Sequence, residues 1–286
     1  RVRWVDRYLA VAAVLLAWSA ANHLHEAFAQ AREVLVAMYP TRLRPGAELS
    51  GFLRALHSRS EALLRRVTAT FRQRTRQLAG DAFRWKGWVL MGVDGSRINA
   101  PRTRANETGL GCAGKVRTAP QLLLVTLFHV ATGLPWAWRR DRGDGSERGL
   151  LRDLLDTLPD KTLLLADAGF VGYAMLGALQ AAGHAFVIRV GRHVRLLRKL
   201  GFEVEERRGT VYLWPEGRRH ERPQVLRLVE LQTGTRRVSL LTNVLDETAL
   251  SDAEVLSRYR QRWSIEVRVR SLKQTMGKRT LRAETP

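Results

Sequence analysis

The chain has 286 residues, with 48 Lys and Arg against 27 Asp and Glu, a formal charge of +21. At 45% hydrophobic residues it can bury one large core or two ordinary ones. The charge argues against an enzyme of small molecules and for a polyanionic partner, because phosphate contacts supply most non-specific nucleic-acid affinity. The single cysteine, Cys112, excludes a disulfide framework and a cysteine-based zinc site, and fits a reducing compartment. The chain opens on Arg1 and stops at Pro286, which suggests a fragment clipped at both ends.

Residues 1 to about 80 read as helices. The apolar run 9–21 follows Arg1, Arg3 and Arg7 and imitates a signal peptide, but it is too short to span a bilayer. It predicts a buried helix in an intracellular protein with no membrane partner, because the remainder of the chain is basic. Pro40 and Pro45-Gly46 break the pattern, and a second long helix follows over 49–78. It carries Arg54, Arg59, Arg65, Arg66, Arg72, Arg74 and Arg76, which either track a DNA backbone or form a solvated face.

From Trp88 the texture changes. Residues 88–98 read as a buried strand running into a polar turn at Asp94, and a glycine-rich loop through Gly109, Gly111 and Gly114 comes next. Residues 121–130 and 134–139 read as two more strands, and 147–158 as a helix. Residues 162–170 form a buried strand with Asp167 at its end. A helix over 173–182 and a strand over 184–190 complete this part. Residues from 192 to about 245 carry short strands with turns at Arg208-Gly209, Glu216-Gly217 and Thr233-Gly234, a β-rich insertion. Trp214, followed by Pro215 and Gly217, is placed at a strand end entering a turn, either packed beneath the insertion's sheet or offered to a ligand.

Residues 251–276 read as one helix, opened by a capping box of Ser251 and Glu254 and stopped by Gly277. Tyr259, Arg262, Glu266 and Lys273 follow one another by three, four and seven residues. At roughly 100° per residue they share a stripe about 60° wide. Leu256, Trp263 and Val267 flank it on one side; Ile265, Val269, Leu272 and Met276 flank it on the other. A polar row between two apolar rows predicts a helix pressed on a core, with a carboxylate and donors aimed into a cleft.

Asp94, Asp167 and Glu266 are thus each placed where a carboxylate can reach a shared cleft. Three carboxylates without a His or Cys cluster suit hard, oxygen-seeking Mg²⁺. Two such ions can activate water and stabilise the leaving oxygen of a phosphodiester.

The pattern Tyr259-x-x-Arg262-x-x-x-Glu266-x-x-x-x-x-x-Lys273 resembles the Tyr-Arg-Glu-Lys signature of bacterial insertion-sequence transposases, the insertion-sequence-four family. Val93-Asp-Gly-Ser96, Ala166-Asp-Ala-Gly-Phe-Val-Gly-Tyr173 and Leu241-Thr-Asn-Val-Leu245 resemble that family in the same order. The resemblance implies an α/β protein with an RNase H-like catalytic core over residues 88–286, a β insertion over about 192–245, and a helical DNA-end-binding region over residues 1–87. It implies Asp94, Asp167 and Glu266 as the catalytic triad, holding two Mg²⁺ ions with Mn²⁺ as a substitute. It implies phosphate contacts from Tyr259, Arg262 and Lys273, and base stacking by an aromatic of the insertion, here Trp214. The partners implied are terminal inverted repeats and target double-stranded DNA, bound by a DNA-assembled homodimer. Val267-Arg-Val-Arg270 stands where relatives carry aromatics, and family chains run on beyond Lys273. A truncated remnant that only binds DNA, and a nuclease without joining activity, are the alternatives.

Overall fold

The structure is a computed structural model, and it describes all residues except 1–3, 41–43, 114–118, 191–196, 198–201, 234–235, 275–279 and 282–286. The chain divides into two compact units, Arg1–Phe71 and Arg72–Pro286. Among the described residues no helix is long and apolar enough to cross a membrane.

In the first unit, helices α1 (Asp6–Trp18), α2 (Leu24–Met38) and the start of α3 (Leu49–Ala79) enclose a core of Trp4, Tyr8, Leu9, Phe28, Leu35 and Phe52. The rings of Trp4, Phe28 and Phe52 pack at tilted angles with centroids 5.1–6.2 Å apart. The apolar run of α1 was expected to be buried throughout. Only Tyr8, Leu9 and Ala12 are, while Val14 and Trp18 are exposed. Arg59 and Arg66 of α3 pair with Asp6.

The second unit is built on one sheet of nine strands: β1 (Val89–Asn99), β2 (Gln121–His129), β3 (Pro135–Arg142), β4 (Thr162–Ala166), β5 (Ala185–Arg189), β6 (Phe202–Arg207), β7 (Thr210–Pro215), β8 (Gln224–Thr233) and β9 (Arg236–Thr242). Their order across the sheet is β3-β2-β1-β4-β5-β9-β8-β7-β6. β4 lies parallel to β1 and to β5, and every other neighbouring pair is antiparallel. The insertion strands therefore extend the sheet beyond β5 and do not form a separate one.

Besides the end of α3, the α-helices among the described residues of this unit include α4 (Arg104–Leu110), α5 (Glu147–Arg152), α6 (Tyr173–Ala181), α7 (Asp252–Gln261) and α8 (Trp263–Gln274). Alternation along the central strands sends Val89, Met91, Val93, Leu164 and Ala166 into one apolar cluster with Leu150 and Leu151 of α5 and Met175 and Leu176 of α6. It sends Leu90, Leu163 and Leu165 into a second cluster with Val255 of α7 and Ile265 of α8. Strands covered on both faces are apolar throughout, which is why 162–166 reads as an unbroken hydrophobic run.

Four expectations need correction here. β1 does not end at Asp94 but continues to Asn99, because β2 pairs with it along its whole length, from Met91↔His129 to Asn99↔Gln121. The glycine-rich loop contains the short helix α4, capped by Thr103, whose side chain accepts from the Asn106 amide. The helix expected over 147–158 stops at Arg152 and resumes as a 3₁₀ turn at Leu155–Thr157. The last helix is two, broken at Arg262, where i→i+3 bonds from Arg262 N to Tyr259 O and from Ile265 N to Arg262 O tighten the turn. The capping box of Ser251 and Glu254 is present.

Candidate active site

β1 and β4 run parallel with Gly92 opposite Leu165, and continuing that register brings Asp167 abreast of Asp94. Asp94 is held within a strand paired on both sides. Asp167 follows the last residue of β4 and caps a 3₁₀ turn, its Oδ1 accepting from the Gly169 amide at 2.9 Å. Glu266 arrives from α8, next to the fully buried Ile265. Ile265 packs onto the sheet where Gly92 has no side chain.

The three carboxylates share one field. The Asp94 carboxyl is pushed up to about 6, first by burial and then, against the opposing charge of Arg262, by Glu266, Asp167 and Glu147. Asp94 therefore faces three other acidic groups and one guanidinium. Among the described residues no three His, Cys, Asp or Glu side chains stand close enough to hold a metal ion as placed. Arg262 supplies the positive charge instead. It is 4% exposed and donates from Nη2 to Glu266 Oε1. Its guanidinium lies 5.3 Å from the centre of the Tyr259 ring. Arg262 Nε and Nη1 and the Tyr259 hydroxyl are buried without a well-formed hydrogen bond, although the hydroxyl and the guanidinium lie close enough to interact, an arrangement open to a ligand. A cleft of about 460 Å³ opens beside them, lined by Asp167, Arg189, Tyr259, Arg262, Trp263 and Glu266.

The polar stripe borders this cleft and is not enclosed by two packed rows. Ile265 on one flank is buried, but Trp263 and Val267 on the other are 55% and 43% exposed. The side chains of Lys273, Val269 and Leu272, and residues Met276 and Gly277, lie outside the described residues.

Trp214 lies one residue before the end of β7, at a strand end entering a turn as expected. It pairs with Glu203 inside β7, is 8% exposed, and its indole Nε1 donates to the Glu221 carbonyl at 2.9 Å. Arg219 covers the ring at 5.2 Å. The indole is committed to the insertion's own packing. Pro215 ends the strand, and its carbonyl accepts from the Arg218 amide at 3.1 Å to close the turn at Glu216-Gly217.

Two residues near the site were missed by sequence reasoning. Glu147 opens α5, and its carboxylate fills the space beside Gly95 and Gly169. A Cβ on Gly95 would lie 2.6 Å from Glu147 Cδ, and one on Gly169 3.5 Å from Glu147 Oε2. Arg97 donates to Glu147 Oε1 at 2.9 Å. A glycine one residue after Asp94 and two after Asp167 is a legible sign that something approaches both closely. Arg189 ends β5, which lies beside β4 in parallel, so its charge falls next to Asp167 and reaches Tyr259.

An aspartate inside β1, another just past the end of β4, and a glutamate from a helix packed on the same sheet define an α/β protein with carboxylates and arginines around one cleft. Residues 89–286 match the family model of the transposase DDE domain, and the chain belongs to that family. It is 28% identical over 216 residues to the transposase InsG for insertion sequence element IS4 of Escherichia coli (strain K12), an alignment covering 71% of this chain and 48% of that protein. The chain thus spans about half the length of the curated relative it matches. Among solved structures, the Mos1 transposase paired-end complex with left transposon end aligns with 65% of this chain and 59% of its own, at 15% identity and a TM-score of 0.23. That superposition is too loose to bear on the fold.

Proposed function

We propose that the chain carries the catalytic domain of a DNA transposase that cleaves the ends of an insertion sequence and joins them to target DNA. The observation that carries this reading is the parallel register that sets Asp167 abreast of Asp94, with Glu266 near enough for its charge to bear on Asp94. Family membership supports the same reaction class. We take residues 88–286 as an RNase H-like catalytic domain. The strand order β3-β2-β1-β4-β5, with β2 alone antiparallel to its neighbours, supports that assignment, as does an insertion placed between β5 and the glutamate helix. Residues 1–87 are the DNA-end-binding region in this reading.

The donor set fits a hard divalent cation. It is all oxygen, without nitrogen or sulfur ligands, and its mutual repulsion is what a cation relieves. Asp94, Asp167 and Glu266 would hold two Mg²⁺ or Mn²⁺ ions, which supply charge neutralisation to the attacking and leaving oxygens of the phosphodiester. Arg262 releases Glu266 to that role and turns its Nε and Nη1 to a phosphate oxygen. Tyr259 adds its hydroxyl, and Lys273 a further cation. Water attacks the phosphorus at the element's end, the P–O3′ bond breaks, and the departing oxygen takes a proton to become a 3′-hydroxyl. That hydroxyl then attacks a target phosphodiester, loses its proton, and displaces a second 3′-oxygen. The substrates are double-stranded terminal inverted repeats and target DNA, assembled by a homodimer.

The test is to incubate the full chain with a labelled element-end duplex, a supercoiled target and Mg²⁺. Cleavage followed by covalent joining supports the reading. Cleavage without joining indicates a nuclease, and binding without cleavage indicates an inactive remnant.

A further inference from the structure

Away from the carboxylate cleft, three arginines gather at the β3 edge of the sheet. Arg72 and Arg76, one turn apart near the end of α3, both lie over Trp136, with guanidinium carbons 5.3 and 5.0 Å from the indole centre. Arg76 also stands 5.8 Å from the centre of the Phe83 ring. Arg72 Nε donates to the Trp136 carbonyl at 3.0 Å, which fixes its guanidinium. Arg139, three residues further along β3, is exposed, and its charge reaches Arg72. Among the described residues none of the three forms an ion pair with a carboxylate. A hollow of about 380 Å³ opens beside Arg72 and Arg76, lined also by Arg84 and Trp136, with Asp160 in its wall.

Three like charges, two of them held over aromatic faces and none by an acid among the described residues, repel one another in the free protein. Arg72 shows this: its pKa is lowered by burial and by the charges of Arg76 and Arg139. An anion reverses the sign of that interaction, and planar guanidinium groups suit phosphate oxygens. Trp138 of β3 is in register with Thr126, and Thr126 with Asp94. Two strand spacings, about 10 Å, separate the β3 edge from the catalytic strand. We propose that Arg72, Arg76 and Arg139 form a phosphate-binding site for the backbone of duplex DNA, distinct from the carboxylate cleft and indifferent to base sequence. This rests on the reading of the chain as a DNA-acting protein.

The test is anisotropy of short labelled duplexes of unrelated sequence, titrated with the full chain over a salt series. Arg76→Glu/Arg139→Glu changes two exposed positions. Arg152→Glu/Arg218→Glu makes the same charge change elsewhere and serves as the control. The first pair should flatten the slope of log affinity against log salt by about two units on every sequence, and weaken binding at low salt about tenfold or more. A slope equal to the control's overturns the site and leaves the DNA reading standing. No duplex binding by the unsubstituted chain overturns the DNA reading itself. Should the Glu pair melt early, Arg76→Gln/Arg139→Gln removes the charges without reversing them. It should still flatten the slope relative to an Arg152→Gln/Arg218→Gln control, and an equal slope there overturns the site.

Discussion

Ile265 Cδ1 occupies the space that a Cβ on Gly92 would need, so α8 touches the bare backbone of β1 two residues before Asp94. This contact sets the height of Glu266 over the aspartates. Gly92→Ala must push the helix away, and overpacking of this kind costs about 1–3 kcal/mol. Ile265→Val removes the offending methyl, so the double variant should recover much of the loss. Denaturant unfolding of the two single variants and the pair checks this. Strictly additive losses would mean that the two residues do not constrain each other.

The raised carboxyl of Asp94 makes stability depend on pH. Its folded pKa, about 6, lies above its ordinary value, so the protonated form stabilises the fold. That contribution is full below about pH 4 and is lost as pH rises through about 6. Asp94→Asn should therefore melt higher than the parent at pH 7.5, by about 1–3 kcal/mol after allowance for partial exposure, and match it near pH 4. Melting curves across that window decide it. Added Mg²⁺ should raise the parent's melting point more than the variant's.

The order of the strands was legible because buried parallel strands read as apolar runs, as 162–166 does. Asp94 and Asp167 stand out in the sequence because each interrupts such a run. What local pattern cannot show is tertiary fit. The segment from Gly95 to Asn99 looks like a turn but is strand, since β2 supplies its partners. The turn after Trp214 is legible in Pro215 and Gly217, but not that Arg219 and Glu221, just beyond that turn, close over the indole. The break at Arg262 leaves no trace in composition, as no Gly or Pro marks it.

Glu147 sits closer to the two aspartates than sequence spacing suggests, and its charge is felt at Asp94. Glu147→Gln should weaken divalent-ion binding about tenfold or more, the usual cost of losing a supporting group around a metal. Titration with Mn²⁺ followed by electron paramagnetic resonance measures this without DNA. Unchanged affinity would confine Glu147 to its ion pair with Arg97.

Trp214→Ala should act through folding. It removes a buried indole and leaves the Glu221 carbonyl unpaired, a loss of about 3–5 kcal/mol. Nicking and end processing should then fall together, in step with a lower melting point. A variant that melts normally yet stalls after the first nick would return the indole to a role on DNA.

The central claim is that Asp94, Asp167 and Glu266 form one catalytic centre. The direct measurement is cleavage of a labelled element-end duplex in Mg²⁺ by Asp94→Asn, Asp167→Asn and Glu266→Gln, alongside duplex binding by each. All three should lose cleavage by about a thousandfold or more while binding stays within a few-fold of the parent. Near-normal cleavage by any one of them would contradict the account.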